Sequence, residues 1–175
     1  MTDAGATSVH ASAVLVDHRA VLIRGPSGAG KSRLAFDLIQ AGCSGQIAPA
    51  TLVGDDRVHL FVSGGQLVVR PAPQLAGLIE IRGLGIRRCG FVEQAVVGLV
   101  VDLAAADAAR LPAPEALQTL IYGVMIPRIP VSSGFSALPL VVAGLTTSDG
   151  SGSSPSWDDC VKGISNHMGL SIATE

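Results

Sequence analysis

Apolar and polar positions alternate along this chain in a way that predicts many short strands around one early helix. Val9 to Val16 is an apolar run that predicts a first strand, carrying His10. Asp17-His18-Arg19 is a polar turn after it. Ala20-Val21-Leu22-Ile23 is apolar without alternation, which suits a strand buried on both faces in a parallel sheet. Leu34-Ala35-Phe36-Asp37-Leu38-Ile39 predicts a helix that starts at Lys31, ends near Ala41 and is closed by Gly42 as its C-terminal cap. Cys43 to Ala50 predicts an irregular connection, and Thr51-Leu52-Val53 a strand running into Gly54-Asp55-Asp56. Val58, Leu60 and Val62 alternate with other residues, Ser63-Gly64-Gly65 interrupts, and Leu67-Val68-Val69 resumes, which is a hairpin signature ended by Pro71 and Pro73.

The second half is patterned less sharply. Leu75 to Ile79 leads into Glu80-Ile81-Arg82-Gly83-Leu84-Gly85-Ile86. Gln94 to Val101 predicts a strongly apolar strand ending at Asp102, and Ala104 to Leu111 a short helix. Ala116 to Val124 fits helix or strand, Ile126 to Val131 is extended, and Ser136 to Leu145 predicts a C-terminal helix despite Pro139. Ser148 to Ser156 is rich in Ser and Gly without periodicity and reads as linker or tail. The expected organisation is one domain over residues 1–147 and a tail over 148–175. Strands outnumber helices, so the fold class is α/β with a mixed sheet, carrying more antiparallel strand than a doubly wound domain.

One stretch brings in chemistry. Gly25-Pro26-Ser27-Gly28-Ala29-Gly30-Lys31-Ser32 fits the phosphate-binding pattern G-x-x-x-x-G-K-[ST] at every fixed position. A glycine-rich loop can turn several backbone N–H groups into one concavity, and the following helix adds the positive end of its dipole. Lys31 is placed to reach the β- and γ-phosphates and Ser32 to ligate Mg²⁺. The predicted order of strand, loop and helix is the order this motif requires. Gly25, Ser27, Gly28, Ala29, Gly30, Lys31 and Ser32 are therefore the expected nucleotide-binding residues.

Phosphoryl transfer also needs a metal-binding acid and a group for the acceptor's proton. Asp55-Asp56 ends an apolar strand, and neighbours on a strand point to opposite faces, so one acid can face the phosphates while the other supports it. Asp102, at the end of another apolar strand, competes for metal association, with a helix N-cap as its structural alternative.

Composition narrows the classes. The 175 residues contain 48% hydrophobic residues at a mean hydropathy of +0.48, which supports a substantial core and excludes disorder for most of the chain. Net charge is −2 and there is no basic stripe, which argues against nucleic acid as the main partner. Met1 to Ser8 has no signal-peptide pattern. Ile129 to Ser148 is an uncharged stretch with the length of a membrane span, but Pro130, Pro139, Ser132, Ser133 and Ser136 argue against a transmembrane helix. Cys43, Cys89 and Cys160 are scattered, with no metal-site spacing, as expected of a reduced cytoplasmic protein.

Three stretches together resemble a known family. The phosphate loop, Leu52-Val53-Gly54-Asp55-Asp56-Arg57-Val58 and Glu80-Ile81-Arg82-Gly83-Leu84-Gly85-Ile86 resemble the catalytic domain of HPr kinase/phosphorylase over roughly Val9 to Leu145. His10 lies where that family has a histidine before the loop, and the lack of the usual N-terminal regulatory domain is similar to the short alpha-proteobacterial form. The resemblance implies an ATP- and Mg²⁺-dependent kinase acting on a serine of the phosphocarrier HPr in the phosphotransferase system or its nitrogen-related branch. It implies Asp55 as general base, Asp56 supporting it, and Arg82 and His10 in the same site. Ser32, Glu80 and Asp55 would serve Mg²⁺. It also implies a hexamer and a fold resembling the phosphoenolpyruvate carboxykinase nucleotide domain.

The chain departs from the family pattern twice. Arg33 follows Ser32 where the family usually has an acid. Longer members carry a Pro-x-x-Pro-Gly-Arg-Asn loop, whereas the comparable stretch here is Pro130-Val131-Ser132-Ser133-Gly134-Phe135-Ser136, with Arg128 nearby. The family's reverse reaction, phosphorolysis of phosphoserine-HPr by inorganic phosphate, is therefore expected to be weak. The rival readings are a small-molecule P-loop kinase and a non-catalytic ATP-binding regulator.

Overall fold

The protein is described by a computed structural model over residues 6–148. The strands are β1 (Thr7–Val9), β2 (Ser12–Val16), β3 (Arg19–Arg24), β4 (Ala50–Gly54), β5 (Val58–Ser63), β6 (Gln66–Pro71), β7 (Leu78–Ile81), β8 (Gly85–Arg88), β9 (Ala95–Leu103), β10 (Gln118–Ile121) and β11 (Val124–Val131). The helices are α1 (Lys31–Cys43) and α2 (Ala137–Thr146). The expected linker and tail, including Cys160, lie outside the described residues.

The long, apolar β9 organises the main sheet. One edge of β9 pairs in parallel with β3, and β3 continues through antiparallel β2 to antiparallel β4. The other edge is shared: β6 pairs antiparallel at Ala95 and Val96, and β11 pairs in parallel from Val100 to Leu103. β6 leads through β5 to β1, β11 pairs with β10, and β7 and β8 form a separate hairpin. The mixed α/β sheet and its surplus of antiparallel pairs follow the sequence expectation.

Period-two alternation sends residues to two apolar clusters. Val14, Val21, Ile23, Leu99 and Val101 pack with Leu34, Ala35 and Leu38 of α1 and Val141 of α2. Ala13, Ala20, Leu22, Val97 and Val100 pack with Val58, Leu60, Leu67 and Val69 of the β5–β6 hairpin. Val97 and Val100 share a face because the β3–β9 register shifts between Ala20 and Val21, which makes a bulge at Gly98. Gly64 and Gly65 both have positive φ, as the two-residue hairpin turn between β5 and β6 requires.

Several expected boundaries change. The first strand is two strands, because the chain leaves β5 as partner after Val9 and joins β3 and β4 from Ser12 onward. Gly42 lies inside α1 and does not cap it; a Cβ there would stand 2.6 Å from the Ala50 backbone N, so the glycine lets the helix press on β4. The C-terminal cap is Ser44, whose N–H bonds the Gln40 carbonyl. Ala104 to Leu111 forms no helix: Ala104 adopts a φ of 55°, which turns the chain, and Asp107 is drawn to Arg128. Ala116 to Val124 divides into the end of a 3-10 turn (Pro114–Leu117), β10 and the Tyr122-Gly123 turn. The uncharged stretch that has the length of a membrane span contains the Arg128-proximal end of β11 and the ten-residue α2, and no helix among the described residues is long and apolar enough to cross a membrane.

Asp102 has a structural occupation that replaces both readings of it. It lies opposite Arg24 in the β3–β9 ladder. Arg24 donates Nε to its Oδ1 at 2.7 Å and Nη2 to its Oδ2 at 2.7 Å, and Arg128 of β11 donates Nε to Oδ2 at 2.5 Å. Arg128 also bonds both carboxylate oxygens of Asp107 and the Ala116 carbonyl. Three parallel strand ends are thereby tied together one residue before Gly25. Burial pushes the Asp102 carboxyl up, but the hydrogen bonds and charges of Arg24 and Arg128 outweigh it and hold the carboxyl below its ordinary value. The charged form is thus favoured by folding. Its contribution is complete above the ordinary aspartate pKa and is lost as pH falls through the depressed folded value. Asp102→Asn is expected to cost about 3 kcal/mol of unfolding free energy at neutral pH, because two part-buried guanidinium groups lose their shared counter-charge. Urea titrations from neutral to acid pH should show the gap to wild type shrinking as pH falls; equal stabilities at pH 7 would refute the assignment.

Candidate phosphate site

The loop from Gly25 to Gly30 leaves the C-terminal end of β3 and enters α1 directly. Gly25, Gly28 and Gly30 all have positive φ, and the N-cap Gly30 is left-handed with no side-chain cap. A Cβ on Gly25 would stand 2.9 Å from the Leu103 Cβ, so β9 leaves room there for glycine alone. Without a side-chain cap, the first N–H groups of α1 have no side-chain partner and can serve as anion donors. Ser27 and Gly28 are exposed at the tip, Ala29 is part-buried, and Ser32 is half-buried in the first helical turn.

Lys31 is buried, at 6% exposure, and donates Nζ to the Gly25 and Pro26 carbonyls, each at 3.0 Å. Burial lowers its pKa, while the charges of Asp55 and then Asp56 oppose that shift. The ammonium therefore lies within the field of both aspartates and is bonded only to loop carbonyls. These acceptors are of the kind a phosphate oxygen can replace.

The two adjacent aspartates separate sharply, as a strand end allows. Asp55 is buried, at 3% exposure. It accepts a 2.5 Å bond from Ser12 Oγ at Oδ1 and a 3.1 Å bond from the Glu80 backbone N–H at Oδ2. Asp56 takes a left-handed φ of 64° just past β4 and turns its carboxylate outward. Its side chain is 65% exposed, and Oδ1 stands 3.4 Å from His10 Nε2. His10 sits in the crossover between β1 and β2.

The β7–β8 hairpin brings the remaining expected residues. The Glu80 backbone is tied to Asp55, while its side chain is exposed. Arg82 is exposed in the turn after β7. Cys89 closes the far end of the hairpin, and burial, with the nearby Asp55 charge, raises its thiol pKa. An open concavity of about 310 Å³ lies beside His10, lined by Val9, Ala11, Arg24, Leu60 and Tyr122 among others. A second hollow, of about 300 Å³ near His18 and Arg19, contains none of the site residues.

The structure thus brings together the loop, Lys31, Ser32, Asp55, Asp56, His10 and the Glu80 backbone, and leaves Arg82 at the hairpin tip. Ser12, a small residue in an apolar run, carries no local signal of its role, because its partner is 43 positions away. Arg24 carries none either, since Asp102 is 78 positions away. No three-residue cluster of His, Cys, Asp or Glu suited to a metal occurs among the described residues. The donor set nevertheless suits Mg²⁺ held partly by phosphate oxygens, since the Ser32 hydroxyl and the carboxylates of Asp55 and Glu80 are hard oxygen donors.

Comparison with known proteins identifies the family. The chain is 33% identical over 146 residues to an HPr kinase/phosphorylase of Mycoplasma mycoides, a match covering 75% of this chain and 44% of the relative. It is 38% identical over 136 residues to one of Lacticaseibacillus casei, covering 71% and 40%. The chain thus spans about two fifths of the length of these curated relatives. The solved Hpr(Ser) kinase/phosphatase of Coxiella burnetii superposes with a TM-score of 0.62 at 28% identity, covering 79% of this chain and 92% of that one. The family model described as HPr Serine kinase C-terminal domain matches residues 3–143, so the chain belongs to the HPr serine kinase C-terminal domain family.

Proposed function

We propose that this chain transfers the γ-phosphoryl group of ATP to a serine of an HPr-type phosphocarrier and so regulates a phosphotransferase system. The observation that carries the proposal is the buried Lys31, bonded to loop carbonyls and flanked by one fixed and one open aspartate. In transfer, the serine Oγ forms its bond to the γ-phosphorus, the bond to the bridging oxygen breaks, ADP leaves, and the serine proton passes to the protein. Lys31 and the α1 N–H groups bind phosphate oxygens. Ser32, Glu80 and Asp55 would hold Mg²⁺, which supplies charge neutralisation at the phosphates.

The proton falls to Asp56 in this reading. A general base needs a free lone pair within reach of the acceptor hydroxyl. Asp56 is 65% exposed beside His10, whereas Asp55 is buried and anchored by a hydrogen bond at each oxygen, which leaves its remaining lone pairs for Mg²⁺. This exchanges the two roles expected from the resemblance. His10 orients Asp56, and Arg82 meets the acceptor from the hairpin tip. The concavity beside His10 is open, which supports a protein acceptor over an enclosed small molecule. By the same family reading we place the protein in the cytoplasm as a hexamer, with the phosphate domain of phosphoenolpyruvate carboxykinase type.

The direct test is incubation with labelled ATP and purified HPr. Label on an HPr serine is expected; nucleotide binding without transfer would leave a regulator. Lys31→Ala should weaken ATP binding and reduce transfer by about 10²-fold or more, the scale for a lost electrostatic donor. Undiminished ATP affinity in calorimetry would remove Lys31 from the site.

Asp56→Asn should keep nucleotide affinity and fold stability but slow transfer by about 10²-fold or more. Asp55→Asn should disturb nucleotide binding as well. An active Asp56→Asn enzyme beside an inactive, normally binding Asp55→Asn enzyme would return the base to Asp55.

Arg128 is already committed to Asp102, Asp107 and the Ala116 carbonyl, and Phe135 is 72% exposed in the loop where longer relatives have an arginine. Phosphorolysis crowds two phosphate groups and needs an extra positive charge, so pyrophosphate release from phosphoserine-HPr should run slower than the kinase reaction. Equal rates in the two directions, measured with millimolar phosphate, would contradict this.

A further inference from the structure

Ser12, Lys31 and Asp55 are the only buried polar side chains among the described residues. Two of the three belong to the chemistry just proposed. Ser12 has no such assignment and is completely buried, at 0% exposure. It opens β2, and period-two alternation puts it in one row with Val14 and Val16, which pack toward α1. An apolar residue would satisfy the packing of that row. A hydroxyl there costs free energy unless it is bonded. The Ser12 hydroxyl has one partner, Asp55 Oδ1, at 2.5 Å.

The other contacts show what that bond prevents. Asp55 lies close enough for its charge to act on Lys31, yet neither residue bonds the other. Lys31 is bonded to carbonyls of Gly25 and Pro26, which phosphate oxygens can displace. Asp55 is bonded to Ser12 on one oxygen and to the Glu80 N–H on the other. An ammonium and a carboxylate that share a buried site attract one another. A direct pair between them would occupy the cation that phosphate must reach.

We propose that Ser12 is a positioning residue that holds the Asp55 carboxylate away from Lys31, keeping the ammonium available for the phosphates of the nucleotide. The hydroxyl occupies Oδ1, and the Glu80 amide occupies Oδ2. β2 and the β7–β8 hairpin thus restrain the carboxylate from two sides. Lys31 keeps the benefit of a nearby negative charge, which opposes the loss of its proton on burial, without being captured by that charge. The inference rests on the kinase reading for its purpose, but nucleotide affinity tests it without any transfer.

The test is a double-mutant cycle on the full chain, read by calorimetry with a non-hydrolysable ATP analogue and Mg²⁺. Ser12→Ala frees Oδ1 and is expected to weaken analogue binding by about 10-fold, the scale of one hydrogen bond to a charged group. In an Asp55→Asn background the side chain carries no charge with which to capture Lys31. Ser12→Ala should then change affinity by less than about 2-fold, a non-additivity characteristic of a residue acting through its partner. Thermal melts of all four proteins establish that each is folded. Unchanged affinity in Ser12→Ala alone would overturn the proposal. So would an equal loss in both backgrounds, which is what simple damage to packing produces. If the cycle is non-additive as expected but no HPr is phosphorylated, the positioning role stands and the kinase reading fails.

Discussion

Burying a carboxylate is the constraint on which this site depends. An ionised aspartate removed from water costs several kcal/mol unless hydrogen bonds and a counter-charge compensate it. Asp55 draws its compensation from three separate parts of the chain: the Ser12 hydroxyl on β2, the Glu80 amide on β7, and the field of Lys31 at the start of α1. Each is distant in sequence and none suffices alone. The elements that deliver them must therefore meet at one point: β2 lies in the main sheet, and α1 and the separate β7–β8 hairpin pack against it in one apolar cluster.

β9 makes that meeting possible. It supports β3, whose end launches the loop, and β11 runs parallel to it on the opposite edge. The Arg24–Asp102–Arg128 ion pairs fasten these three strands at the level where the loop begins. The approach of Leu103 to Gly25 then sets the loop against β9. The acidic residues divide: Asp102 and Asp107 pair with arginines of the scaffold, while the charges of Asp55 and Asp56 act on Lys31. Asp56 can be open because the chain turns left-handed at that residue, immediately after its buried neighbour.

Local chemistry was readable in the sequence wherever it depended on adjacent residues. The phosphate loop, the Gly64-Gly65 hairpin and the apolar β3 each carry their cause within a few positions. The mixed sheet followed from the count and character of the strands. Features that depend on distant partners were not legible. A serine in an apolar run gives no sign of a carboxylate 43 residues away. Asp102 at the end of an apolar strand resembles a metal ligand until Arg24 and Arg128 stand beside it. The helix expected after it fails because Ala104 turns left-handed and Asp107 binds Arg128, neither of which propensity records. Gly42 resembled a cap because its true role, close contact with Ala50, lies across the α1–β4 interface.

On nucleotide binding, Lys31 is expected to move to the phosphates while Asp55 stays where Ser12 and Glu80 hold it. The most direct measurement is a crystal structure of this chain with a non-hydrolysable ATP analogue and Mg²⁺. Lys31 Nζ is predicted to leave the Gly25 and Pro26 carbonyls for phosphate oxygens, with Ser12 Oγ and the Glu80 N–H still bonded to Asp55 and with Asp56 open beside His10. Nucleotide bound outside the loop, or Asp55 released from Ser12 and paired with Lys31 in the complex, would contradict the account.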